Sequence, residues 1–195
     1  MQIHFKNQQK SDRLLDLTRP NIMGILNFTP DSFSDSGKFF SLDKALFQVE
    51  KMLNDGADII DIGGESTRPN AETVTVSQEI ERVVPLVEAV RNRFDCLISV
   101  DSSKAEVFRE SAKAGADILN DIRALTEPNA LETAAELDLP VCIMHMQGSP
   151  QTMQQAPHYE DVVEEVADFL NHRILECTLA GIPKEHIILD VGFGF

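Results

Sequence analysis

Cationic residues are scarce in this 195-residue chain: 17 Lys and Arg stand against 32 Asp and Glu, a net charge of −15. Phosphate backbones and anionic membranes select for cationic faces, so this balance argues against nucleic acid or a membrane as partner. Cysteine is scarce too. Cys96, Cys142 and Cys177 are widely separated, two of them inside apolar runs and none in a Cys-x-x-Cys pair. That pattern points to reduced, buried thiols rather than a disulfide framework or a zinc site. No run approaches the ~20 apolar residues that span a bilayer, and the polar first fifteen residues hold no signal-length apolar stretch. The expected compartment is the cytoplasm. No linker, low-complexity tract or charge block divides the sequence, and no Gly-x-Gly-x-x-Gly follows the first apolar run, which weakens a dinucleotide-binding reading.

What the chain does have is alternation. Hydrophobic residues make up 43% of it, enough for one sizeable core, so a single domain over 1–195 is expected. Short runs rich in Ile, Leu and Val predict strands over 22–28, 57–62, 97–101, 118–122, 141–146 and 187–191. Longer amphipathic stretches predict helices over 42–54, 77–94, 104–114, 130–137 and 159–179. Gly56, Gly115 and Gly181 are placed as left-handed helix stops, and Ser77 as the cap of the second helix. On the last helix, Glu160, Asp161, Glu164, Glu165 and Asp168 read as a solvated face with Val162, Val163, Val166 and Phe169 turned inward. Residues 3–21 read as an irregular strand or hairpin. The fold class is α/β, and the right-handed crossover rule leaves an open doubly wound sheet or a closed eight-stranded barrel.

Ligands of parallel α/β proteins bind beyond the carboxyl ends of the strands, so polar residues there are site candidates. Every predicted strand supplies at least one: Asn27; Asp61 with 65–68; Asp101 with Ser102 and Ser103; Asn120 with Asp121; His145; and Asp190. Any single one of these reads as a turn or cap residue, but consecutive strands ending this way do not. The set is rich in acceptors and suits a ligand presenting several N–H donors, such as a nitrogen heterocycle. No compact metal motif or His cluster accompanies it, although Asn27 with a phosphate-bound Mg²⁺ is consistent with a cation that prefers oxygen ligands. Two long connections, 30–41 and 63–76, offer glycines, hydroxyls and Arg68 to an anionic group. His145, flanked by Met144 and Met146, reads as a core residue.

Six segments taken together resemble the dihydropteroate synthase family of folate biosynthesis: 24–37 (GILNFTPDSFSDSG), 61–69 (DIGGESTRP), 99–104 (SVDSSK), 120–123 (NDIR), 144–148 (MHMQG) and 190–195 (DVGFGF). The resemblance covers essentially the whole chain. It implies a TIM (β/α)8 barrel, of which about six units are present. It also implies condensation of (7,8-dihydropterin-6-yl)methyl diphosphate with 4-aminobenzoate, giving 7,8-dihydropteroate and diphosphate with Mg²⁺ assistance. Carried over by residue, Asn27 would contact metal and diphosphate, while Asp101, Asn120 and Asp190 would line the pterin pocket, Asp101 also stabilising cationic character on the pterin methylene. Thr67 would lie on the second loop, which closes over the site; Arg68 and Pro69 in that loop, with Phe33 in the first, would help enclose the second substrate, which sulfonamides mimic, and Phe195 would lie beside it.

Ser36, Ser102 and Val191 depart from the family pattern, where Gly, Thr and Pro are usual. The sequence ends within Gly-Phe-Gly-Phe, before the family's later Lys, Arg and His, so a fragment inactive by itself is expected; a complete chain would be expected to pair as a homodimer. The runners-up are the pterin-binding domain of a methyltetrahydrofolate methyltransferase and a non-catalytic truncated pterin-binding protein.

Overall fold

The computed structural model describes residues 2–6, 12–29, 37–65, 74–148 and 156–193. Strands β1 (Gln2–Lys6) and β2 (Asp12–Asp16) form an antiparallel hairpin with Ile3 opposite Leu15, as the polar first segment led us to expect. Six parallel strands follow: β3 (Met23–Asn27), β4 (Ile59–Gly63), β5 (Leu97–Asp101), β6 (Ile118–Asp121), β7 (Val141–Met144) and β8 (Ile187–Asp190). Between them run α1 (Gly37–Asn54), α2 (Val76–Arg93), α3 (Ala105–Ala114), α4 (Ala130–Leu137) and α5 (Val162–Leu179). Each strand pairs with its sequence neighbours, in the order β3-β4-β5-β6-β7-β8. A doubly wound sheet would reverse direction and place an early strand centrally. The monotonic order instead gives the wall of a TIM barrel, with six of its strands and the five helices between them among the described residues.

Side-chain alternation explains why the strands read as nearly continuous apolar runs. Ile60, Ile62, Ile98 and Val100 face outward and are buried with Val83, Leu86, Val87 and Val90 of α2. Leu119, Val141 and Ile143 pack with Phe108 of α3 and Ala130 and Ala134 of α4. The opposite parity faces inward. Its lower layer, Ile59, Leu97 and Ile118, is closed off by Ile3 and Leu15, so the hairpin plugs the amino-terminal end of the sheet. The outermost strands are less covered: Ile25 of β3 is 63% exposed and Leu189 of β8 is 45% exposed. No helix among the described residues is long and apolar enough to cross a membrane.

The structure moves three boundaries. Helix α1 begins at Gly37, so residues 37–41 are helical rather than part of a loop, and 30–36 lie outside the described residues. The cap of α2 is Thr75, not Ser77: Thr75 Oγ1 accepts from Gln78 N at 3.3 Å while Thr75 N donates to Gln78 Oε1 at 3.0 Å. This capping box satisfies two amides that Ser77, already inside the helix, could not reach. Asp161 caps α5 by accepting from Val163 N and Glu164 N, so the helix begins at Val162 rather than 159. That cap fixes the phase of the helix. Leu170, Arg173 and Cys177 turn inward, whereas Val162 and Val163 are 52% and 75% exposed, against the inward placement expected for them.

One ion pair ties the lower end together. Arg91 of α2 donates to Gly115 O through Nε (3.0 Å) and Nη2 (2.8 Å), donates to Cys96 O through Nη1 (2.8 Å), and pairs with Asp117. The fully buried Asp117 carboxylate also accepts from Ile98 N at 2.9 Å and sits 3.7 Å from Arg13 of β2. Removing one member of such a pair strands the other charge. Asp117→Ala is expected to lower stability by about 3–5 kcal/mol, read as a shift of the urea midpoint.

Candidate active site

The inward positions of β3, β4, β5, β6 and β8 change character along the strand, apolar at the amino end and polar at the carboxyl end, whereas β7 carries Cys142 and Met144 inward. Asn27 ends β3, Asp61 lies on β4, Asp101 ends β5, Asn120 lies on β6 and Asp190 ends β8. Asn120 Nδ2 donates to both Asp61 carboxylate oxygens at 3.3 Å, reaching across β5. Asn120 is also the register partner of Asp101. Asn27 and Asp101 meet above Gly63: a Cβ built there would lie 3.1 Å from Asn27 Oδ1 and 3.4 Å from Asp101 Oδ2. A side chain at residue 63 would therefore fill the space between them, and glycine leaves it open.

Asp190 is exposed and its Oδ1 accepts from Gly192 N at 2.8 Å. Gly192 has φ +74°, and a Cβ there would strike His145 O at 2.1 Å, so only glycine serves. Burial pushes the Cys142 thiol up to about 12, and the charges of Asp190, Asp61, Asp101 and Asp121 act in the same direction. Cys96, Cys142 and Cys177 are all free and buried, as the spacing predicted.

Burial sets the electrostatics. It raises the Asp61 carboxyl above the usual range, opposed by the hydrogen bonds from Asn120. Asp101 lies well above its ordinary value, first through burial and then through the charges of Asp61, Asp121, Glu79 and Glu65. Among the described residues no Lys or Arg pairs with Asp61 or Asp101. Acceptors held this way are poised for a ligand that brings N–H donors or positive charge.

Neighbours in sequence divide by parity. Asn120 faces the interior, while Asp121 faces the helix layer, where it accepts from Ser103 Oγ at 2.5 Å and from Arg123 N and Leu125 N at 2.8 Å. His145 is buried at 7% exposure, edge-on to Phe169 with ring centroids 5.1 Å apart, and desolvation lowers its pKa. It is a core residue, as its sequence context indicated. Phe33, Thr67, Arg68, Pro69 and Phe195 lie outside the described residues. A cavity of about 300 Å³ adjoins β6 and β7, lined in part by Ile122, Arg123, Met144, Met146 and Phe169, and none of the interior acids borders it.

Residues 23–195 match the family model described as pterin binding enzyme. A curated relative, the dihydropteroate synthase of Haemophilus influenzae, is 71% identical over 185 residues, covering 95% of this chain and 67% of its own length. The chain belongs to the dihydropteroate synthase family. Among solved members, the Yersinia pestis dihydropteroate synthase in a sulfonamide complex superposes with TM-score 0.89 at 54% identity, covering 99% of this chain and 69% of that one. The Xanthomonas albilineans dihydropteroate synthase with 4-aminobenzoic acid superposes with TM-score 0.86 at 46% identity, covering 94% and 65%. The chain thus spans about two thirds of the length of these dihydropteroate synthases.

One group had little trace in the sequence. Lys104 of the family's SVDSSK segment, Glu65 and the buried Glu79 form a partly buried ion cluster beside Gly64; a lysine three residues beyond Asp101 was the signal for it.

The raised Asp101 carboxyl has a consequence for stability. Its folded pKa exceeds the unfolded value of about 3.9, so the folded state binds the proton more tightly and loses stability as pH rises from the ordinary carboxylate range through the raised one. Asp101→Asn removes that loss. The variant is expected to match the parent at acid pH and to be more stable by roughly 0.5–2 kcal/mol at neutral pH, measured by urea titration at both; equal stability at neutral pH would contradict the assignment.

Proposed function

We propose that this chain carries the pterin-binding side of dihydropteroate synthase catalysis: (7,8-dihydropterin-6-yl)methyl diphosphate and 4-aminobenzoate combine to give 7,8-dihydropteroate and diphosphate. The observation that supports it most is the Asp61, Asp101 and Asn120 set, acceptors on one interior layer at the carboxyl ends with no cationic partner among the described residues. A pterin presents a ring N–H and an exocyclic amine to such a surface. The Xanthomonas albilineans relative holds 4-aminobenzoic acid, and that compound is the second substrate assigned here.

In the reaction the bond from methylene carbon to diphosphate oxygen breaks, the amine nitrogen forms a bond to that carbon, and the amine then loses a proton. Asp101, at the end of β5, would stabilise positive character on the methylene as diphosphate departs. Asn120 and Asp61, locked together by their hydrogen bonds, would orient the ring. Asp190, with its carboxylate braced by Gly192 N, would add a further acceptor. No protein nucleophile is required.

Mg²⁺ belongs to this proposal. Among the described residues no group of three or more His, Cys, Asp or Glu side chains is arranged to hold a metal ion. What fits is the opening above Gly63, bordered by the Asn27 and Asp101 oxygens, since Mg²⁺ accepts one or two protein oxygens and completes its shell with waters and phosphate. When bound there it would neutralise the leaving diphosphate. Arg68, Pro69 and Phe33 are proposed to enclose 4-aminobenzoate with Phe195 beside it, and Thr67 to lie on the loop that closes over the site, on the family resemblance alone. A cytoplasmic site of action and pairing as a homodimer complete the reading, supported by the three free buried thiols and by the exposed Leu175 and Leu179 on α5.

The test joins this chain in frame to the remaining third of the Haemophilus influenzae relative and follows 7,8-dihydropteroate by mass spectrometry. Turnover is expected in the parent, with Asp101→Ala lowering it by about 10²–10³-fold. A parent that forms no product, or an Asp101→Ala variant as fast as the parent, would sink the proposal.

A further inference from the structure

The Gly63, Gly64 and Glu65 backbone, where β4 ends, is gripped from both sides. Asn27 and Asp101 rest against Gly63 from the interior. From the helix side, a Cβ at Gly64 would meet Val83 at 2.7 Å and Glu79 at 3.1 Å, and Arg82 Nη1 donates to Gly64 O at 2.9 Å. Glu65 then folds back so that its Oε1 accepts a long bond from Val74 N at 3.4 Å. Its Oε2 takes Lys104 Nζ at 2.5 Å, and the same ammonium reaches Glu79 Oε2 at 2.5 Å.

Lys104 sits at the N-cap of α3, three residues beyond Asp101, and its amide donates to Ser102 Oγ at 3.2 Å. A single ammonium therefore draws together the end of β4, the first turn of α2 and the turn that follows Asp101. The pair is strongly held. Burial alone would lower the Lys104 pKa, yet the hydrogen bonds to Glu65 and Glu79 outweigh it and raise it. Glu79 has its side chain 1% exposed, and its second oxygen has no partner among the described residues.

We propose that Lys104 is a positioning residue for Asp101: by bridging Glu65 and Glu79 it locks the turn after β5 against the Gly63 ledge, so that Asp101 and Asn27 face each other across it. The residue does not itself reach the interior acids; it acts through the backbone on either side. This inference rests on the function proposed above for its ligand arm and on geometry alone for its structural arm.

The test uses the whole chain. Lys104→Met leaves Glu79 buried without a cation and is expected to destabilise. Combining Lys104→Met with Glu79→Gln removes one charge of each sign, so the cluster keeps its net charge of −1 and stability is expected to recover. Because the Glu79 charge also acts on Asp101, an affinity loss in this double variant reports placement when amide exchange at Ser102 and position 104 quickens with it.

Titration with (7,8-dihydropterin-6-yl)methyl diphosphate and Mg²⁺ is expected to show binding about 10-fold or more weaker than the parent. Amide exchange at Ser102 and Lys104 is expected to quicken while residues 97–100 hold. A folded double variant that binds within twofold of the parent overturns the positioning role. If the parent binds no pterin diphosphate, the functional reading fails instead, and unchanged exchange at Ser102 and Lys104 still overturns the positioning role.

Discussion

Everything in this fold depends on the two-residue repeat of a parallel strand held in register with its neighbours. Outward positions are apolar along most of their length, because helices cover them and offer no water; Asp121 at the end of β6 departs from this with its carboxylate satisfied by Ser103 and two backbone amides. Inward positions are free to change. They are apolar where the hairpin closes the lower end, at Ile59, Leu97 and Ile118. They are polar two to four residues later, at Asp61, Asp101 and Asn120. A one-residue slip of any strand would send its carboxylate into the helix layer and its apolar partner into the site.

The two ends of the sheet treat buried charge in opposite ways. At the lower end Asp117 is met by Arg91, Arg13 and a backbone amide, so its charge is compensated and the ion pair binds α2, α3 and the hairpin together. At the upper end Asp61 is buried and Asp101 half-buried with no cation paired to them among the described residues, and their proton affinity rises accordingly. That arrangement costs stability in the unliganded chain and is sustained by the rest of the core, a common bargain at ligand sites. Lys104 stands between the two regimes. Its ammonium bridges Glu65 and Glu79 without pairing with Asp101.

Much of the layout was legible in the residues. Alternating apolar runs located all six strands within a few residues, because burial on the outward face leaves a compositional trace that length and spacing preserve. The family segments named Asn27, Asp101, Asn120 and Asp190, and the structure places all four at or next to strand ends. The misplaced features were phase and cap. Ser77 and Thr75 are equally good capping residues, and only the reach of Thr75 Oγ1 to Gln78 N separates them. Val162 and Val163 look like core residues until Asp161 fixes where α5 begins.

The sequence by itself determined the α/β class, the strand and helix order, the family and the identity of the interior acids, because these follow from local pattern and short motifs. Tertiary structure decided which of two adjacent polar residues faces the interior and which braces the helix layer. Strand parity turns Asn120 to the interior and Asp121 to Ser103 and the Arg123 and Leu125 amides. It also brought Glu65, Glu79 and Lys104 together from three separate units. Contacts between side chains 25 and 39 residues apart leave no periodic signal, so only the folded chain could reveal them.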